Sequence, residues 1–242
     1  MKIALIGYGK MGKAIEKIAI SRGHEITARV TSSQKVEAQD FSSTDVAIEF
    51  TAPHVVINNL EYLLEKNIPV IVGTTGWNNH LQRITELVAK KNGSLLHASN
   101  FSVGVNLFFE FNKQLAKLMN QHNDYHVSMK EIHHTEKLDS PSGTAITLAE
   151  GIIENHDAVE DWSCPQHPTK NEFEGGVEIT AIREPNVHGT HTIEYHSPID
   201  FIRITHEAKS REGFALGAVI AAEFIQGKQG VFTMNDVLKL SK

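Results

Sequence analysis

The sequence predicts an α/β chain in two parts, an N-terminal part built on a parallel sheet flanked by helices and a second, α+β part with a mixed sheet. Two observations predict this. Over the first hundred residues the hydrophobic pattern switches repeatedly between the runs of buried strands and the period of amphipathic helices. Beyond residue 100 the alternation gives way to strands that follow one another with short links. A glycine-rich turn set between the first strand and the first helix adds a third. With 242 residues there is chain enough for one large or two modest domains with a real core.

In the first part the strand candidates are 2–6, 25–31, 46–50, 68–72 and 94–98. The helical segments between them are 10–22, with Ala14, Ile15, Ile18 and Ala19 on one face, then 53–66 with Val56, Leu60, Leu63 and Leu64, and 78–91 with Leu81, Ile84 and Val88. Gly23 stands where a left-handed cap ends the first helix, and Pro53 where a proline opens the second. The second part reads as a helix over 103–120, a strand over 125–132, a helix over 143–155 and a loop through Trp162-Ser163-Cys164-Pro165. Strands at 176–184, 189–197 and 200–207 are linked closely enough to be expected antiparallel. A buried helix over 212–226 carries Phe214, Ala215, Ala218, Val219, Ala222 and Ile225, with Gly227 beyond it.

Composition removes several functions. Basic residues number 23 and acidic ones 29, a net charge of −6 that offers no electrostatic footprint for nucleic acid or an anionic membrane. Cys164, the single cysteine, excludes an internal disulfide and any thiolate metal cluster, which points to a reducing compartment. There is no apolar stretch of about 18 residues and no signal-peptide pattern, so a cytoplasmic location is expected. The 14 histidines are the compositional oddity, and their positions carry more than their number.

The turn Gly7-Tyr8-Gly9-Lys10-Met11-Gly12 stands between strand and helix, the setting that G-x-G-x-x-G requires. The first glycine permits the tight turn, the second lets backbone approach a pyrophosphate, and the third allows helix and strand to pack closely, with phosphate at the helix N-terminus. A Rossmann-like dinucleotide-binding domain is the expectation. The acidic residue that would meet the adenosine ribose at the end of the second strand is missing. In its place stand Thr31-Ser32-Ser33-Gln34-Lys35, which with Arg29 either receive a 2′-phosphate or form a solvated loop. The first alternative predicts that NADPH serves at least as well as NADH. Gly73-Thr74-Thr75-Gly76 and Ser99-Asn100-Phe101-Ser102 follow strands at the ends where open α/β sheets bind ligands.

The densest polar chemistry runs from Glu131 to Ala145 and includes His133, His134, Lys137, Asp139, Ser142, Gly143 and Thr144. A strand ends here, two imidazoles and an amine follow, and Ser142-Gly143-Thr144 opens a helix whose free N–H groups and dipole suit a carboxylate. An imidazole beside such an anion site can donate a proton near neutral pH. Plainer roles compete: Ser142 or Thr144 as a helix cap, one histidine as a structural hydrogen-bonding group, or a metal held by His133, His134 and Asp139, which adjacent ligands and the lack of an obvious further partner disfavour.

The segment Glu131–Ala145 resembles the signature of the dihydrodipicolinate (4-hydroxy-tetrahydrodipicolinate) reductases almost residue for residue. The resemblance extends in order through Gly7–Gly12, Phe50-Thr51, Gly73–Gly76, Asn100–Asn106, Gly189-Thr190-His191, Thr205-His206 to Arg211, and Phe214-Ala215. It implies a dinucleotide-binding domain of residues 1–103 completed by 212–242, and a substrate and tetramerisation domain of 104–211. It also implies hydride transfer from NADPH or NADH to a small cyclic dicarboxylate in diaminopimelate and lysine synthesis, by a homotetramer without a metal. By the same resemblance His133 is the general acid and Lys137 its catalytic partner. His134, Lys137, Ser142, Gly143 and Thr144 hold the substrate carboxylates. Gly7, Tyr8, Gly9, Lys10, Met11 and Gly12 meet the cofactor phosphates, and Gly73, Thr74, Thr75, Ser99, Asn100 and Phe101 its nicotinamide side. The glycine turn is shorter than is common in that family, and Arg183 and Arg211 are left unassigned. The nearest alternative is an oxidoreductase acting on a different small dicarboxylate, and two other classes remain in competition: a dinucleotide-sensing module, which has no need of the histidine–lysine segment, and a histidine-metal hydrolase, which ignores nicotinamide.

Overall fold

A computed structural model of the chain describes residues 1–165 and 175–240. Its elements run β1 (Lys2–Ile6), α1 (Lys10–Ser21), β2 (Glu25–Val30), β3 (Val46–Glu49), α2 (Val56–Glu65), β4 (Val70–Val72), α3 (Leu81–Lys91) and β5 (Ser94–His97). They continue through α4 (Val103–Met119), β6 (His126–His133), α5 (Gly143–Ile153), β7 (Asp161–Ser163), β8 (Gly176–Arg183), β9 (Thr190–His196) and β10 (Phe201–Glu207). The chain ends with α6 (Glu212–Ile225), β11 (Gly230–Phe232) and α7 (Met234–Leu238). Two compact units result, one of Met1–Val103 with Arg211–Lys242 and one of Gly104–Ser210.

The first unit is a doubly wound parallel sheet in the order β11-β5-β4-β3-β1-β2. Ile3–Ile6, Val46–Ile48 and Val70–Val72 are uninterrupted apolar runs because helices cover both faces of these strands. On one face Val56, Leu60 and Leu63 of α2 and Ile84 and Val88 of α3 close the core. On the other, Ile15 and Ala19 of α1 meet Ala215, Ala218, Ala222 and Ile225 of α6. The small residues of α6 let it lie close: a Cβ on Gly217 would fall 1.7 Å from the Phe101 carbonyl oxygen. The order reverses between β1 and β3, and that switch point is where such sheets bind ligands.

The second unit is a mixed sheet in the order β10-β9-β6-β8-β7, with α4 and α5 on one face. Period-2 alternation sends Met129, Val177, Ile179, Ile193 and Tyr195 against Phe108, Ala116, Leu148 and Ile152 of the helices. No described helix is long and apolar enough to cross a membrane.

Several expectations require correction. The second helix starts at Val56 rather than Pro53: residues 53–55 form a turn in which the Ala52 carbonyl accepts from the amides of Val55 and Val56. Trp162 and Ser163 belong to a strand, β7, rather than a loop; it is three residues long and exists through parallel pairing with β8. β11 and α7 were not foreseen, although Thr233 and Asp236 form a capping box. β9 and β10 make the expected antiparallel pair, but β8 and β9 are not neighbours. β6 lies between them, parallel to β8 and antiparallel to β9, a long-range pairing to which local pattern is blind.

Candidate active site

In the first unit a crevice of about 620 Å³ opens at the switch point. It is lined by Gly7, Tyr8 and Gly9 after β1, by Thr31, Ser32, Gln34 and Lys35 after β2, and by Phe50, Thr51 and Ala52 after β3. Gly7 has φ +99° and a Cβ there would fall 1.9 Å from the Phe50 carbonyl oxygen, so the first glycine is required by the turn itself. A Cβ on Gly12 would meet the Gly7 carbonyl oxygen at 2.5 Å, which is the close packing expected of the third. Gly9 is different. Among the described residues a Cβ there would meet nothing within 4 Å, and as the N-cap of α1 it leaves the first-turn amides, Lys10, Met11 and Gly12 among them, without a side-chain cap. Open space in front of uncapped amides at a positive helix end fits a pyrophosphate. The residues of this crevice therefore fit a dinucleotide.

Of the two cations considered for a 2′-phosphate, Lys35 lines the crevice, whereas Arg29 is bound to Glu16 through Nε and Nη2 and lies over the Tyr8 ring. Arg29, followed by the Tyr8 hydroxyl, holds the Glu16 carboxyl below its ordinary value. The other turns are built inward. Thr74 donates its hydroxyl to Glu49 at 2.6 Å and accepts the Thr51 amide at 2.7 Å. Glu49, fully buried, also accepts from Thr51 Oγ1 and from Asn59 at 3.2 Å; burial pushes its carboxyl up. A Cβ on Gly73 would strike the Phe50 ring, and Phe101 is buried with its ring 5.7 Å from that of Phe50. The Asn100 side-chain oxygen accepts from the Ser102 amide. Thr75 and Ser99 lie in the same turns as Thr74 and Asn100.

In the second unit β6 ends in the histidine–lysine segment. His133 is its last residue, buried at 7% exposure, and His134 follows in the loop. Register decides their company: Glu131 faces His191 across β9, and His133 faces Arg183 across β8. The Glu131 carboxylate is fully buried and receives both the Ser142 amide (3.2 and 3.1 Å) and Arg183 Nη2 (3.2 Å). His133 Nδ1 lies 3.4 Å and His191 Nε2 3.7 Å from Oε2 of the same group. Arg183 also donates to the carbonyls of Lys137 and Asp139, fastening the loop between them. Lys137 Nζ donates to both oxygens of Asp139, at 2.9 and 2.8 Å. Burial works against that carboxylate's charge, yet Lys137 and then Arg183 hold it below the usual range.

Burial lowers the His133 imidazole; Glu131 opposes this, and Lys137 and Arg183 reinforce it. His191 is pushed down to about 3, chiefly by burial and then by the neighbouring His133, so it is neutral at neutral pH and His133 is the better placed of the two to carry a proton. Ser142 takes the plainer of its two roles: it is 2% exposed and its hydroxyl caps α5 by accepting from the Ala145 amide. Gly143 and Thr144 form the first turn behind that cap, and a Cβ on Gly143 would meet nothing within 4 Å among the described residues. The start of α5 is thus open toward an anion.

Glu131, His133 and His191 lie close enough together to suggest a metal site. The carboxylate is already committed to Arg183 and an amide, and the guanidinium at 3.2 Å opposes a second cation. Sequence reasoning passed over Glu131 and His191 as site members and left Arg183 unassigned. The available signal was the spacing of Glu131 and His133, two apart on one strand and therefore on one face.

Family models cover almost all of the chain: one described as dihydrodipicolinate reductase, N-terminus, matches residues 1–101, and one described as dihydrodipicolinate reductase, C-terminus, matches 104–238. A 4-hydroxy-tetrahydrodipicolinate reductase of Christiangramia forsetii is 47% identical over 239 residues, covering 98% of each chain. One of Buchnera aphidicola is 36% identical over 233 residues, covering 93% of this chain and 81% of its own. Among solved structures, a dipicolinate-bound dihydrodipicolinate reductase from Paenisporosarcina sp. TG-14 has the same fold, with a TM-score of 0.75 at 22% identity, covering 96% of this chain and 97% of that one. The chain belongs to the dihydrodipicolinate reductase family.

Proposed function

We propose that the protein reduces dihydrodipicolinate, the form that 4-hydroxy-tetrahydrodipicolinate takes on loss of water, to tetrahydrodipicolinate with NADPH or NADH, in the synthesis of diaminopimelate and lysine. The observation that carries this reading is the 47% identity, end to end, with a reductase of that name. The chemistry of both units supports it. The first unit holds the dinucleotide through Gly7–Gly12, with Gly73, Thr74, Thr75, Ser99, Asn100 and Phe101 shaping the turns beside it; the reduced nicotinamide supplies the hydride.

The second unit holds the dicarboxylate. One carboxylate takes the start of α5 at Gly143 and Thr144 together with Lys137, which exchanges its Asp139 partner for substrate. His134 and the capped turn at Ser142 complete the binding surface. Hydride addition leaves an electron-rich enamine that needs a proton, and His133 donates it. Two substrate carboxylates beside the ring raise its affinity for that proton, against the burial that lowers it in the free protein.

A homotetramer in the cytoplasm completes the reading. β10 is an edge strand of its sheet, and Phe201 (59% exposed), Ile199 (91%) and, on α4, Phe111 (62%) stand out of the second unit. The experiment is oxidation of NADH and NADPH in parallel, with freshly generated product of the preceding synthase step and a control lacking it, and the native mass measured alongside. Substrate-dependent oxidation is expected with at least one cofactor; dinucleotide binding without oxidation overturns the assignment.

A further inference from the structure

A fully buried carboxylate is costly unless charge and hydrogen bonds meet it, so the surroundings of Glu131 require a reason. Its partners converge from four elements: His133 on its own strand, Arg183 on β8, His191 on β9 and the Ser142 amide at the start of α5. Arg183 and the amide pin the carboxylate in place. Oε2 is left facing the two imidazoles.

Those imidazoles are not equivalent. His191 Nε2 lies 3.2 Å from Ser142 Oγ, so that ring makes its hydrogen bond with the helix cap and not with the carboxylate, which is 3.7 Å away. His133 Nδ1 is buried, has no hydrogen-bond partner among the described residues and faces Oε2 at 3.4 Å. On the opposite side its Nε2 approaches Gly189, where a Cβ would stand 3.0 Å away. One nitrogen is therefore turned to the carboxylate and the other to a gap that only glycine leaves.

We infer that Glu131 is a positioning residue for the reduction: pinned by Arg183 and the Ser142 amide, it directs Nδ1 of His133 inward, leaves Nε2 as the proton-delivering nitrogen, and counters the cations around the ring. The inference rests on the reductase reading for its purpose, but not for its first measurement. Among the described residues, the charged and titratable groups facing His133 are Glu131 from β6, Lys137 and Asp139 from the loop, Arg183 from β8 and His191 from β9. Removing the Glu131 charge leaves Lys137 and Arg183 less opposed, so His133 gives up its proton at lower pH. Removing the Arg183 charge has the opposite sign.

The test is the titration of His133 by NMR in full-length, dinucleotide-free protein carrying ring-labelled histidine, for wild type, Glu131→Gln, Glu131→Asp and Arg183→Gln, with pH–rate profiles of the same proteins. Glu131→Gln is expected to move the His133 midpoint down by about one pH unit or more, since an opposite charge at this range is worth roughly 1–3 units. Glu131→Asp restores part of that shift, and Arg183→Gln moves the midpoint up. The alkaline limb of kcat follows in the same directions while the KM for dinucleotide stays constant. A wild-type midpoint in Glu131→Gln overturns the inference, as does a shift of the same sign in both charge removals, which is the pattern of general loosening. If Glu131→Gln fails to fold, the upward shift of Arg183→Gln decides. Opposite NMR shifts without substrate-dependent oxidation in the wild type leave the electrostatic link standing and sink the reductase reading, and the catalytic purpose with it.

Discussion

Arg183 stands opposite His133 in the parallel pairing of β6 with β8, yet its guanidinium turns back to Glu131 at 3.2 Å and reaches the carbonyl of Asp139 at 2.7 Å. One side chain thus fixes both the carboxylate beneath the imidazole and the loop that carries Lys137. A lysine, with a single ammonium and no planar fork, cannot serve these acceptors together.

His133→Ala is expected to lower kcat by about 10²–10⁴, the size of a general acid's contribution, with dinucleotide affinity nearly unchanged. Steady-state kinetics with fluorescence titration of the cofactor check this; unimpaired turnover removes His133 from the acid role.

Gly189 has φ +152°, and a Cβ there would stand 3.0 Å from His133 Nε2, tighter than an ordinary contact. Gly189→Ala is expected to cost about 1–3 kcal/mol in backbone strain and to displace the ring, lowering kcat with little change in dinucleotide binding. A variant with wild-type kcat would show that the ring does not need this gap.

Burial holds His97, His133, His156, His191 and His206 below the ordinary imidazole value of 6.5. Unfolded, these groups take up protons near 6.5; folded, they take them up later, and His191 only near 3. The unfolded chain therefore binds more protons below 6.5, so stability is full above that pH and is lost as pH falls. For His191 the loss continues toward pH 3 at a slope approaching about 1.4 kcal/mol per pH unit. Urea unfolding between pH 7 and 5 is expected to show a shallower slope for His191→Asn than for wild type; equal slopes would mean that His191 is not held neutral.

Glu49 collects the hydroxyls of Thr51 and Thr74 and the amide of Asn59 beneath the nucleotide crevice. Glu49→Ala leaves these donors facing a void, at about 1–3 kcal/mol for each one left buried and unpaired. A lower thermal midpoint and weaker dinucleotide binding are expected together, while Glu49→Gln, which keeps an acceptor, loses much less. Equal effects in the two variants would show that hydrogen bonding is not what the carboxyl contributes.

Lys35 lines the crevice while Arg29 is held by Glu16. Lys35→Ala is expected to raise the KM for NADPH by about tenfold, the worth of one charge-assisted hydrogen bond, and to leave that for NADH unchanged. Paired Michaelis–Menten curves read this directly, and equal effects on both cofactors place the 2′-position elsewhere.

Local pattern determined much of this protein. The alternation of periods marked the βα units, Gly23 and Gly227 ended helices with φ +82° and +70°, and the turn Gly7–Gly12 announced a nucleotide crevice, because periodicity and backbone freedom are properties of neighbouring residues. The segment from His133 to Thr144 was legible for the same reason. Tertiary structure alone decided that β6 enters between β8 and β9, and with it that Glu131 meets Arg183 and His191 from strands far along the chain. It decided too that Ser142 caps a helix, that Thr74 and Phe101 turn inward, and that Arg29 belongs to Glu16. Strand order and side-chain commitment follow from burying apolar surface while satisfying every buried polar group, and that balance is struck by the whole fold rather than by any stretch of sequence.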